Sequence, residues 1–168
     1  MYGSVMRAIG KAGLLICIIG TPGPSARATA VEQTASDRMP DFSGTWSRDV
    51  KRSEKPITGP STIVIEQTGS ELTTRSTKDQ ARVERYRLDA SESVNEERDG
   101  TKSKSTARWD GETLVVTSAV TPHAVNPYTR TTTYTLASGG KGLIIETATV
   151  SAAAKPLRFK QVWVRQNK

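Results

Sequence analysis

The sequence predicts an all-β protein, an antiparallel up-and-down β-barrel of about eight to ten short strands. Three observations predict it. Strand-favouring runs recur at near-regular intervals from Gly44 almost to the last residue, with turn residues between them. No long segment carries an apolar period of 3.6 residues. Parallel strands would need crossover connections of a dozen or more residues, so a wholly antiparallel meander is the simplest topology.

The N-terminus has a different character. Arg7 and Lys11 precede a short apolar run at 12–20 (AGLLICIIG), and the breakers Pro22, Gly23 and Pro24 follow it. Ala26-Arg27-Ala28 and Ala28-Thr29-Ala30 each offer a small-residue cleavage site, so residues 1–30 are expected to be a signal peptide. The apolar run is shorter than the ~18 residues of a membrane-spanning helix, so no integral span is expected after cleavage; the alternative is an uncleaved N-terminal anchor, against which the small-residue cleavage pattern speaks. Residues 31–40 are polar, end in proline and are expected to be a flexible leader; residues 41–168 form the barrel domain. The expected destination is the periplasm or the cell exterior.

The export segment bears on charge and on cysteine chemistry. The whole chain has 24 basic and 17 acidic residues, net +7. Arg7, Lys11 and Arg27 leave with the signal, so 21 bases face the same 17 acids, net +4. Those charges are mixed along the chain, as on a solvated surface rather than a nucleic-acid-binding stripe. Cys17 is the one cysteine and lies in the apolar run. The mature chain therefore offers no disulfide, thiol nucleophile or thiolate metal site, and the core alone must hold the fold.

The predicted strands are 44–48, 62–68, 71–77, 82–88, 92–98, 102–109, 113–121, 128–136, 143–150 and 157–165. Asp99-Gly100 and Asp110-Gly111 supply the positive φ angles of tight hairpins, and Thr68-Gly69-Ser70 and Ser138-Gly139-Gly140-Lys141 do the same with glycine. Ala152–155 is too short for a helix and is cut off by Pro156. In 128–136 one face is Tyr128, Arg130, Thr132, Tyr134 and Leu136; the other is threonine throughout and is expected to face water. In the closing run, Leu157, Phe159, Gln161, Trp163 and Arg165 share the face expected to point inward. In 63–67 and 143–150 both faces carry apolar residues, and the period does not separate them. A flat sheet of these strands would expose two edges and an apolar face, which closure removes. A two-sheet sandwich suits the same spacing.

At Gly44-Thr45-Trp46 the chain resembles the lipocalin-like, calycin-type β-barrels, which place Gly-x-Trp on the first strand. Further text resembles an uncharacterised secreted bacterial family of this shape: Phe42-Ser43-Gly44-Thr45-Trp46, Ala107-Arg108-Trp109-Asp110-Gly111-Glu112-Thr113-Leu114 and Val162-Trp163-Val164-Arg165-Gln166. The resemblance spans roughly residues 41–166, and it lacks the C-terminal helix and disulfide of the classical lipocalins. It implies that a basic residue of the last strand, Arg165 or Lys160, packs across Trp46 and helps close the barrel. The physical role of Trp46 stands without the resemblance: a large ring at one end of a small barrel is a plug.

Catalytic chemistry has little support. His123 is the one histidine, in the proline-stiffened stretch Thr121-Pro122-His123-Ala124-Val125-Asn126-Pro127, and no acid or nucleophile is fixed beside it. With no second histidine and no mature cysteine, no metal site is expected. Glu92, Glu96, Glu97 and Asp99 lack the alternation of a calcium loop and are expected on a solvated strand and turn. Lys102-Ser103-Lys104-Ser105 is expected to be an exposed hairpin arm. No phosphate-cradling glycine loop or Gly-x-Ser-x-Gly pattern occurs, so no cofactor is expected.

The residues expected to line a barrel mouth or cavity are Tyr86, Arg108, Arg130, Tyr134, Phe159 and Gln161. Arg130 shares its face with Tyr134 and Leu136 and needs a partner: an anionic head group such as a carboxylate, or Glu146 of the next strand. The expected function is to bind a small amphipathic or apolar ligand. The alternatives are a filled barrel that engages a protein, glycan or envelope component, and an enzyme whose chemistry leaves no motif.

Overall fold

The computed structural model describes residues 39–55, 59–77, 82–97, 99–122 and 126–167. The expected signal peptide, all of the expected leader but its last two residues, and His123 lie outside the described residues. Ten strands are found among the described residues: β1 (Gly44–Arg48), β2 (Thr62–Gln67), β3 (Glu71–Ser76), β4 (Val83–Arg87), β5 (Ser93–Glu96), β6 (Lys102–Asp110), β7 (Thr113–Thr121), β8 (Tyr128–Leu136), β9 (Gly142–Ser151) and β10 (Ala154–Arg165). They form one sheet in the order β4-β3-β2-β1-β10-β9-β8-β7-β6-β5. Each strand pairs antiparallel with its chain neighbour, except across β4 and β5, and β1 pairs antiparallel with β10. The predicted up-and-down barrel is the fold; a single sheet of this order is not a two-sheet sandwich.

The seam between β4 and β5 makes the barrel near-closed rather than closed. Side chains of β5 substitute for a backbone ladder there. The Asn95 amide accepts from the Arg85 backbone N–H at 2.8 Å and donates to the Arg85 carbonyl at 3.0 Å. Ser93 Oγ accepts from the Arg87 N–H at 2.8 Å. Backbone groups that would form an exposed edge are thereby satisfied.

Alternation along each strand fills one half of the interior. Phe42, Trp46, Ile65, Leu72, Leu114, Val116, Leu143 and Trp163 are buried, and Phe42 stacks on Trp109 with ring centroids 5.8 Å apart. The structure separates the faces that the period of two left open: Ile63, Ile65, Leu143 and Ile145 point inward, while Val150 is exposed. Tyr134 is buried as expected, and the threonines alternating with it are exposed or half-buried.

Two expected boundaries and one expected surface differ. Of the run predicted over 92–98, Ser93–Glu96 is strand and Arg98 lies outside the described residues. The last strand begins at Ala154 and runs through Pro156, with a register shift between Ala154 and Leu157. A bulge is where proline, lacking an N–H donor, fits a strand. The Lys102–Ser105 arm is exposed on only one face: Lys102 and Lys104 point out, whereas Ser103 and Ser105 are buried and Ser105 Oγ lies 2.8 Å from Ser118 Oγ.

Candidate functional site

The seam between the first and last strands repeats one short pattern, Trp46-Ser47-Arg48 on β1 and Trp163-Val164-Arg165 on β10. In antiparallel register Trp46 faces Arg165 and Arg48 faces Trp163. The Arg165 guanidinium lies over the Trp46 ring, 4.3 Å from its centroid, and Arg48 lies over Trp163 at 5.1 Å. The expected plug is therefore Trp46 with Arg165. Lys160 points outward beside Glu146 instead.

Arg165 also ties the chain ends together. It donates to the carbonyls of Ser43 and Gly140, while Trp46 Nε1 donates to the Phe42 carbonyl at 2.9 Å. Gly44 is required here: its φ is +145°, and a Cβ would lie 2.9 Å from the Arg165 guanidinium. The Gly-x-Trp pattern thus has a local cause, since glycine lets the arginine cover the ring two residues on.

The other half of the barrel is not filled. A cavity of about 1050 Å³ opens there, walled by Ile63 of β2, Ile145 and Thr147 of β9, Phe159, Gln161 and Trp163 of β10, and Thr132 and Tyr134 of β8. Strand β4 contributes Glu84, and the segment after β5 contributes Glu97 and Asp99.

Charge in this cavity is concentrated in one network. Arg130 of β8 donates to Glu84 Oε1 at 2.5 Å, with both side chains largely buried. Arg82 reaches the same Glu84 oxygen at 3.0 Å and Glu97 at 2.7 Å. Burial pushes the Glu84 carboxyl up, but Arg130 and Arg82 together outweigh it and hold the carboxyl below its ordinary value. Burial disfavours the Arg130 charge, and the Glu84 carboxylate more than compensates, so the guanidinium stays charged. Burial first, and then the nearby Glu84 charge, push the Tyr134 phenol up and keep it neutral.

Four of the six residues expected at the cavity line it: Arg130, Tyr134, Phe159 and Gln161. Tyr86 is buried and shares the inward face of β4 with Glu84, but it does not line the cavity. Arg108 is a correction. It is exposed on the outer face of β6, because Ala107 and Trp109 take the inward positions. The expected Arg130–Glu146 pair is also corrected. Arg130 stands opposite Thr149, while Glu146 stands opposite Thr133 and Lys160 on the outer face. Glu84, Arg82 and Arg48 escaped the sequence reading. Glu84 had a signal, since it stands two residues from Tyr86 and shares its face.

Among the described residues no cluster of three or more metal-ligating side chains occurs, and no helix is long and apolar enough to cross a membrane. The fold is a near-closed, up-and-down antiparallel β-barrel with a partly charged cavity that opens at one end. Among solved structures the chain is similar to apo lipid binding protein 8 (LBP-8) of Caenorhabditis elegans, with a TM-score of 0.55 and 13% sequence identity over 74% of this chain and 95% of that one. At that identity the likeness is one of fold. No protein-family model and no curated protein sequence matches the chain.

Proposed function

We propose that this protein holds one small amphipathic or apolar ligand in the open half of its barrel. The observation that carries this reading is the coexistence of two unlike halves. One is packed with buried aromatic and aliphatic side chains; the other keeps a cavity of about 1050 Å³. A barrel built only as a rigid module has no need of such a space, and small-molecule sites commonly occupy about 300–1,000 Å³. Ile63, Ile145, Phe159 and Trp163 offer apolar contact to a tail, and Arg130, Tyr134, Thr132 and Gln161 offer polar contact to a head. The fold likeness to a protein titled as lipid-binding agrees with this reading.

The signal-like first thirty residues support export, with the periplasm or cell exterior as the site of action and a secreted bacterial family as the source. The cavity residues support a binding role: Glu84 and Glu97 are engaged by arginines, and no nucleophile with an adjacent base stands among those described. Native mass spectrometry of the protein purified from its producing cells tests the binding role. A single stoichiometric adduct that is lost on denaturation is expected. Consistently bare protein, also after incubation with lipid and metabolite extracts, would contradict it.

A further inference from the structure

We propose, resting on the reading that the cavity holds an amphipathic ligand, that it selects a neutral hydrogen-bonding head group, an alcohol or amide, over a carboxylate on the same tail. The arginine that would invite a carboxylate is already neutralised. Arg130 and Glu84 meet at 2.5 Å, with side-chain exposures of 14% and 15%, so the pair is fixed inside the barrel. The same Glu84 oxygen also engages Arg82, which continues to Glu97. Two guanidiniums are thus balanced by two carboxylates along one chain of contacts. Among the described lining residues four arginines stand beside four carboxylates.

An incoming carboxylate would have to share Arg130 with Glu84 at close range, beside a pair that is itself largely buried. Displacing Glu84 would leave a buried acid stripped of its strongest partner. A neutral head group meets neither obstacle. Arg130 spends one nitrogen on Glu84 and has further N–H donors, and the Thr132 and Thr147 hydroxyls stand on the adjacent walls. The site therefore offers hydrogen bonds without a net positive field.

Calorimetric titration of the full-length protein with dodecanol and with dodecanoate at neutral pH tests this directly. Dodecanol is expected to bind about tenfold or more tightly than dodecanoate. Glu84→Gln leaves the arginines in excess and is expected to shift the ratio toward dodecanoate by at least about tenfold. Arg82→Gln, at a more exposed position, removes a positive charge and is expected to widen the preference for dodecanol. Should Glu84→Gln not fold, the wild-type ratio and Arg82→Gln still decide. Equal or tighter binding of dodecanoate by the wild type overturns the selectivity and leaves the ligand-binding role standing. Binding of neither overturns that role, and the selectivity with it.

Discussion

Trp46 and Arg165 show how few residues set the barrel's closed end. The ring is fully buried, the guanidinium covers it, and Gly44 clears the space. Trp46→Ala is expected to lower stability by about 3–5 kcal/mol, the range for removing a buried aromatic side chain. Gly44→Ala is expected to cost about 1–3 kcal/mol, from the positive φ and the contact with Arg165. Urea unfolding measures both, and a loss below about 1 kcal/mol for Trp46→Ala would remove the plug from the account. Glu84 gives a pH signature. Its folded value lies below the ordinary 4.5, so its pairing stabilises the protein above that pH and is lost as pH falls through the lower folded value. Glu84→Gln is expected to flatten the acid limb of the stability curve; an unchanged limb would show that the network contributes nothing. The Trp46–Arg165 pairing was anticipated through the resemblance at Gly44-Thr45-Trp46, and a single strand register at the seam realises it. Arg48 and Trp163 repeat the same spacing and were equally readable. Glu84 was not readable as Arg130's partner, because 46 residues and the curvature of the whole barrel separate the two.

At the scale of elements, the weak point is the β4–β5 seam. Nine neighbouring strand pairs are joined by backbone ladders, and this junction is bridged by side chains instead: Asn95, Ser93 and the Arg82–Glu97 pair. Asn95→Ala is expected to cost about 1–2 kcal/mol, two hydrogen bonds' worth, and to speed hydrogen exchange at the Arg85 amide before other strands respond. Equal protection of that amide in the variant would mean that the seam is held by other contacts. Strand positions followed from turn chemistry and the period of two, which is why the meander was readable from Gly44 onward. The inward face of β6 was not. Lys102, Lys104, Thr106 and Arg108 alternate there with Ser103, Ser105 and Ala107, and polarity alone did not reveal that the small residues are the buried set.

For the whole molecule, function depends on the difference between the barrel's two halves. Large apolar side chains, Phe42, Trp46, Leu72 and Leu114 among them, pack together in one half. In the other, arginine and glutamate from opposite walls meet across a space that side chains leave unfilled. The number of strands and their closure could be anticipated from spacing. Interior volume could not, because it is set by which inward positions carry large residues at the same height of the barrel.

The most direct test of a half-filled binding barrel is a titration of the isotope-labelled protein with dodecanol, followed by NMR chemical shifts. Shifts are expected at Ile63, Thr132, Ile145 and Thr147 around the cavity, with Leu72 and Leu114 in the packed half nearly unmoved. Shifts confined to the outer face of the sheet, or none at saturating ligand, would contradict it.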